Sequence, residues 1–334
     1  TPQETNELFA QLRLLRQAHY TIIIITHKLR EIKALCDRVT IMKQGEMIGT
    51  YAVDTISIEE ISNKMVGYEF EYITSSKKSD TKDVVLKVSN VSYHSFDKSK
   101  LHNITFDIKK GEIVGIVGVE GNGQEELARI ICGQIQDYTG DVHLNDVNLQ
   151  PLGVKKIRQL GVSYIPSDRL KEGSNVHGSV LTSLIALKIQ EKTYRKGLFI
   201  RKKKLNAYAQ SLVADYQIKT STIDNNVGAL SGGNIQKIVA AREIDHCRSL
   251  LIANNPTRGI DIGSILTLHQ KINALQQQDI SVLLISSDLK EIYDLSHRVL
   301  VIYEGEIVAN IENIHEISEE QLGKYMLGLE KQGV

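Results

Sequence analysis

The sequence predicts an α/β fold, and three stretches carry that prediction. Glu112-Ile-Val-Gly-Ile-Val117 is apolar almost throughout, as a buried strand is. The turn Gly118-Val-Glu-Gly-Asn-Gly-Gln-Glu125 follows it directly, and a run with Leu127, Ile130 and Ile131 at helical spacing comes next. Strand, glycine-rich turn and helix in that order form a phosphate-binding loop, in which backbone N–H groups and a helix N-terminus cradle an anion. Gly118 and Gly123 stand where such a loop needs glycine. Its two chemical positions are changed: Gln124 replaces the lysine, and Glu125 replaces the Ser/Thr that holds magnesium.

Taken in order, the first strand is expected at Tyr20-Thr-Ile-Ile-Ile-Ile-Thr26, followed by His27-Lys-Leu-Arg-Glu-Ile. Ile280-Ser-Val-Leu-Leu-Ile-Ser286 and Ser287-Asp-Leu-Lys-Glu-Ile repeat that pattern at a fixed offset (287 − 27 = 260). The offset also aligns Leu29 with Leu289, Glu31 with Glu291, Arg38-Val39 with Arg298-Val299 and Gly45-Glu46 with Gly305-Glu306. After one inserted residue Met65-Val-Gly67 matches Met326-Leu-Gly328. A period this long implies a duplicated domain, not a solenoid of short repeats. Thr1 corresponds to Asp261, so nothing in the first copy matches the glycine loop. Residues 1–73 are therefore expected to be the C-terminal remnant of a first domain, and the less stable part. Residues 74–82 are polar and aperiodic and read as a linker. Residues 83–334 are expected to make the complete second copy.

That copy opens with alternating runs, Val84–Val91 and Leu101–Ile108, expected to be antiparallel strands. After the loop and its helix come strands in Gly140–Leu149 and Gly161–Ile165, then a mainly helical stretch from Val180 to about Ala229. A strand at Leu250–Ala253, a helix after Gly263 and the strand at Ser281 complete the α/β core. A last hairpin, Arg298–Tyr303 and Glu306–Ile311, is expected to turn at Glu304-Gly305.

At 334 residues the chain is long enough for about two domains with sizeable cores. Lys+Arg and Asp+Glu balance at 40 each, so no overall field draws the protein to nucleic acid. The densest basic run, Arg195 to Lys204, reads as a solvated helix face rather than an RNA patch. Cys36, Cys132 and Cys247 lack metal-ligand spacing, which fits reduced thiols, and no metal-ligating cluster is expected. No apolar run approaches the roughly twenty residues of a membrane span, and no signal peptide opens the sequence. A soluble protein is expected, with any membrane role coming through partners.

The strongest single motif is Leu230-Ser-Gly-Gly-Asn-Ile-Gln-Lys237. Ser231, Gly232, Gly233 and Asn234 at a helix start offer a hydroxyl, bare amides and a helix dipole to an anion. An ordinary N-cap has the same look in isolation. Here it lies about a hundred residues after the glycine turn and just before a strand ending in Asn254-Asn-Pro-Thr-Arg-Gly-Ile-Asp261. In this order the motifs resemble those of an ABC-transporter ATPase: Walker A, signature, Walker B, D-loop and switch. Tyr164-Ile-Pro-Ser-Asp-Arg169, Pro256-Thr-Arg-Gly-Ile-Asp261 and the duplication resemble the ATPase subunits of simple-sugar and nucleoside importers. Thr26-His-Lys-Leu-Arg-Glu-Ile32 and Val301-Ile-Tyr-Glu-Gly305 look closer to the nucleoside branch.

The resemblance implies an ABC-type nucleotide-binding domain with antiparallel β and helical subdomains, preceded by a partial copy. It implies ATP and Mg2+ as cofactors, membrane-embedded permease subunits and, through them, a substrate-binding protein as partners, and peripheral placement on the cytoplasmic face of the membrane. The two domains of such a subunit would pair within one polypeptide around two ATP sites. One composite site is disarmed, with Gln124, Glu125, Asn254, Asn255 and Ser287 at the Walker lysine, magnesium, Walker B aspartate, general-base and switch-histidine positions. Gly118, Gly121 and Gly123 keep its loop, Asp261 its D-loop, and Ser167 stands where the Q-loop glutamine is expected. Each replacement removes a charge or proton-handling group used in phosphoryl transfer. His27, at the switch position of the first copy, and the intact signature Ser231–Asn234 belong to the competent site. Tyr93 and Phe96 are candidates for stacking on adenine, and both also suit a core. The alternatives are a permease-free ABC protein acting on ribosomes or DNA, and a non-catalytic scaffold that lends its signature to a partner.

Overall fold

In the computed structural model, residues 2–26, 29–43, 45–66, 82–95, 98–197 and 199–332 are described. The chain divides into two compact units, Thr1–Tyr72 with Asp261–Leu266, and Ile73–Ile260 with Thr267–Val334.

The first unit contains α1 (Pro2–Gln17), α2 (Leu29–Leu35), the antiparallel hairpin β1 (Arg38–Lys43) and β2 (Glu46–Ala52), and α3 (Ile58–Val66). Leu29, Ile32, Val39, Ile41, Val53, Ile56 and Ile61 close a small core among them. The expected strand at Tyr20–Thr26 belongs to no sheet. A strand needs neighbours to satisfy its amides, and no described strand flanks this one. Ile23 and Ile25 are consequently 86% and 98% exposed.

The second unit begins with β3 (Val84–Ser95), β4 (Lys98–Lys109), β5 (Ile113–Val117) and α4 (Gln124–Ile131). The hairpin β6 (Thr139–Leu144) and β7 (Val147–Asn148), then α5 (Val154–Gln159), β8 (Val162–Ile165) and α6 (Val180–Ile185), follow. Next come β9 (Arg195–Lys196), β10 (Phe199–Ile200), α7 (Lys202–Asp215), α8 (Gly232–His246) and β11 (Leu250–Asn254). The chain ends with α9 (Ile262–Gln277), β12 (Ser281–Ile285), α10 (Leu289–Leu295), β13 (Arg298–Tyr303), β14 (Glu306–Ile311) and α11 (Glu319–Met326). The last hairpin has the bounds expected from sequence.

Two sheets organise this unit. β4-β3-β6-β7 is antiparallel, and β14-β13-β5-β12-β11-β8 is parallel except for its edge strand β14. β5, β11 and β12 are buried at every residue, which is why they read as unbroken apolar runs. Leu86, Ile104, Ile108, Ile116, Leu127 and Ile131 belong to the large core of this unit. Arg298 crosses from β13 to the buried Glu112 before β5, with its Nε 3.0 Å from the carboxylate. The basic run expected to be one helix face is a short hairpin, β9–β10, running into the start of α7. Gly197 at φ +61° makes the turn that breaks the helix there.

Element bounds recur along the chain as residues do. α1, α2 and β1 recur as α9, α10 and β13 at an offset of 260, and both hairpins shift register at the same place, Ile41/Met42 and Val301/Ile302. A buried-side hydrogen bond recurs too. Thr26 Oγ1 donates to Glu31 Oε2 at 2.7 Å, and Ser286 Oγ to Glu291 Oε2 at 2.6 Å.

Candidate functional site

Register places the site. Asn254 of β11 lies opposite Ile285 of β12, which lies opposite Ile116 of β5. The residues that follow these three positions therefore emerge side by side at the carboxyl ends of parallel strands, where α/β sheets bind ligands. The Asn255 amide donates to Ile285 O at 2.7 Å and the Ser286 amide to Ile116 O at 3.3 Å, extending the sheet by one step.

The glycines of the loop have separate reasons to be glycine. A Cβ on Gly118 would sit 2.3 Å from Ile302 O and 2.6 Å from Gln124 Nε2. One on Gly123 would sit 2.6 Å from Lys100 O and 2.5 Å from Leu101 Cδ2, and Gly123 has φ +105°. Gly121, at φ +93°, faces open space. Asn122 anchors the turn: its Oδ1 accepts from the Glu304 amide at 3.0 Å and its carbonyl from the Gly305 amide at 3.1 Å. The first amides of α4, which a helix leaves without internal partners, open the loop to an anion.

Its side chains do not supply what a Mg2+-bound triphosphate needs. Gln124 is only 8% exposed and folds back, its Nε2 donating to Val119 O at 3.1 Å. Glu125 pairs with Arg129 one turn along, and Arg129 also pairs with Glu172. Burial works against the Arg129 charge, but Glu125 and Glu172 outweigh it and raise its pKa. Arg129 is thus committed to two carboxylates, while Lys100 lies 3.8 Å from Glu126 and Arg258 lies 3.9 Å from Glu120 of the loop. The backbone cradle fits phosphate; Glu125 and Asn254 do not make a magnesium site.

At the neighbouring strand ends the groups are neutral. Asn255, at φ +49°, donates from Nδ2 to Oδ1 of the buried Asn254 at 3.1 Å. Its own Oδ1 accepts from the Ser287 amide at 2.9 Å and the Ser287 hydroxyl at 3.0 Å. Behind them Glu291, buried, bridges Ser286 Oγ and His269 Nε2 (3.2 Å).

The Ser231–Asn234 stretch forms the start of α8, a 15-residue helix. Ser231 is its N-cap residue, but its hydroxyl accepts from Asn234 Nδ2 at 2.8 Å instead of capping a backbone amide. Asn234 Oδ1 accepts from the Lys219 amide at 2.8 Å. The Arg169 guanidinium lies against Gly232, 2.4 Å from where a Cβ would be, and Arg169 Nη1 donates to Arg258 O at 2.7 Å. No hydrogen bond among the described residues joins this stretch to the glycine loop. Asp261 groups with the first unit, where its carboxylate accepts from the Ser264 amide at 3.1 Å and hydroxyl at 2.6 Å. Tyr93 is half-buried against the core and pairs across the sheet with Leu101. Ser167 is half-buried just before Asp168, which holds the amides of Leu170 and Lys171. His27 and Phe96 lie outside the described residues.

Sequence reasoning missed Arg129, Arg169 and Asn122 as parts of these sites. Arg129 had a local signal in its spacing of four residues from Glu125, and Asn122 and Arg169 lay inside motifs that gave them no role of their own.

A strand-loop-helix phosphate cradle, adjoining strand ends and a Ser-Gly-Gly helix start on a mixed sheet define an ABC-type nucleotide-binding domain. Residues 101–258 match the family described as "ABC transporter". Along nearly its whole length the chain is homologous to nucleoside and sugar import ATP-binding proteins. It is 36% identical over 337 residues to the glucose import ATP-binding protein TsgD13 of Haloferax volcanii, covering 100% of this chain and 60% of that protein. It is 36% identical to the guanosine import ATP-binding protein NupO of Bacillus subtilis (98% and 64% covered) and 32% to the nucleoside import ATP-binding protein NupA of Lactococcus lactis (98% and 65%). The chain thus spans less than two thirds of the length of these relatives. Among solved structures, a nucleotide-free ATP-binding cassette from an ABC transporter shares the fold at TM-score 0.60 and 18% identity, with 72% of this chain and 95% of that one covered. A dimeric post-hydrolysis cassette bound to ADP and Pi does so at TM-score 0.59 and 18% identity (67% and 97%).

Proposed function

We propose that the chain is part of the ATPase subunit that energises ABC-type import of a nucleoside or a simple sugar. Residues 1–73 are the C-terminal remnant of a first nucleotide-binding domain, 74–82 a linker and 83–334 a second domain whose own site is degenerate. Hydrolysis takes place at the other composite site, which the first domain's Walker motifs complete, with His27 as its switch residue and Ser231–Asn234 closing over it. ATP is bound with Mg2+ there. Gly118, Gly121 and Gly123 retain a phosphate cradle in the second domain, and Gln124, Glu125, Asn254, Asn255 and Ser287 leave it without hydrolytic groups.

One observation carries this proposal. The fold keeps adjoining strand ends in register, while the residues at those ends, Asn254, Asn255 and Ser287, bond to one another as neutral groups. Phosphoryl transfer needs charge neutralisation and an oriented nucleophile, and this arrangement provides neither. The recurrence of element bounds at an offset of 260 supports the division into two copies. The names of the relatives support nucleoside or sugar import, and import implies permease subunits, a substrate-binding protein beyond them and a place on the cytoplasmic face of the membrane. None of the helices among the described residues is long and apolar enough to cross a membrane, which fits a peripheral subunit.

Affinity purification from solubilised membranes tests the proposal. Co-purification of multi-spanning permease subunits is expected, and co-purification with ribosomes in their place would overturn it.

A further inference from the structure

Between Lys192 and Ala214 the sequence holds seven basic residues and no acidic one. The run does not lie on one helix. Lys196 pairs with Phe199, and Arg195 with Ile200, in a two-stranded hairpin, and Arg201–Lys204 lead into α7. The Arg201 amide extends the pairing by donating to Tyr194 O at 2.8 Å. Phe199 is 81% exposed and Ile200 is exposed beside it, while Lys192, Lys196 and Arg201–Lys204 are all exposed.

Two further observations make this a built surface. The hairpin is fixed from below: the Tyr194 and Tyr208 rings lie 5.5 Å apart, and Tyr208 Oη donates to Asp245 at 2.7 Å. The nearby carboxylates are also spoken for. Lys188 takes Glu191 at 3.2 Å and Asp245 at 3.1 Å. Among the described residues no ion pair engages Lys192, Lys196, Arg201, Lys202, Lys203 or Lys204. On a chain with zero net charge, this leaves a local cationic patch around an exposed aromatic tip.

We infer that this hairpin and the start of α7 dock on the anionic phospholipid surface of a bilayer. The lysines meet lipid phosphates, and Phe199 and Ile200 enter the boundary between headgroups and acyl chains, the division of labour of interfacial basic segments. A nucleic acid would satisfy the lysines but offers no apolar phase for two adjacent side chains. The inference rests on the import function proposed above only for placing the chain at a membrane.

Flotation of the full chain with phosphatidylcholine vesicles, with and without phosphatidylglycerol, tests it without permease or ATP. Binding to the phosphatidylglycerol vesicles alone, weakening with salt, is the expected result. Each lysine removed should weaken binding roughly fivefold, so Lys202→Gln, Lys203→Gln and Lys204→Gln together should weaken it on the order of 100-fold with an unchanged melting temperature. Phe199→Ser should weaken binding and leave its salt dependence in place. Equal binding to both vesicle types, no binding to either, a triple variant that floats like wild type, or displacement of the vesicles by a single-stranded oligonucleotide would each overturn the inference. Because the vesicles carry no permease, a failure here leaves the import function standing, and a failed permease co-purification leaves this result standing.

Discussion

Asn255 accepts two hydrogen bonds from Ser287 through a single side-chain oxygen, at 2.9 Å from the amide and 3.0 Å from the hydroxyl. Neither side chain titrates near neutral pH, so the pair fixes the spacing of β11 and the turn after β12 without moving a proton. Asn255 does this from a left-handed backbone conformation, which asparagine tolerates better than most residues. Asn255→Ala should therefore lower the unfolding free energy by about 1–3 kcal/mol, from lost bonds and backbone strain. Equilibrium urea denaturation measures this; a neutral effect would mean that the pair holds nothing.

Gly123→Ala addresses whether the loop's glycines serve the fold or only a ligand. The added methyl would meet Lys100 O and Leu101 at a φ of +105°. A cost of about 1–3 kcal/mol is expected in the absence of any nucleotide. Urea denaturation showing no loss would leave ligand contact as the glycine's only purpose.

Glu243 supplies the pH dependence. It is fully buried on α8, with Arg158 Nη1 at 2.8 Å and Arg242 Nη2 at 2.8 Å. Burial would raise its pKa, but the two guanidinium groups outweigh burial and lower it. A depressed carboxylate contributes stability that is present above the ordinary carboxylate range and lost as pH falls through the folded pKa. Glu243→Gln should cost about 3–5 kcal/mol near neutral pH, because Arg158 and Arg242 lose their counter-charge. Denaturation at a series of pH values should show the gap between variant and wild type narrowing as the medium becomes acidic. A gap independent of pH would contradict this account of Glu243.

What was legible in the sequence was what local periodicity encodes. β5, β11 and β12 are buried on both faces and so read as unbroken apolar runs, and the turn at Glu304-Gly305 has left-handed φ at both residues. The 260-residue offset was legible because whole elements repeat. What failed was whatever depends on non-local neighbours. Tyr20–Thr26 has strand composition, but a strand exists only through its partners, and Ile23 and Ile25 stand exposed. The basic run around Gly197 folds as a hairpin because the turn, not the charge pattern, decides the backbone. Arg169 was invisible as part of the signature region because it reaches Gly232 from 63 positions away in the sequence (232 − 169 = 63).

In the proposed reading, residues 83–334 keep the cradle of an ATP site and none of its hydrolytic chemistry. Steady-state ATP turnover by the purified chain, with Mg2+ present, tests it most directly. Turnover well below about 1 s⁻¹, the low end of the usual enzyme range, is expected. Turnover at or above that rate would contradict it, since it would require Gln124, Asn255 and Ser287 to do work for which they have neither charge nor proton.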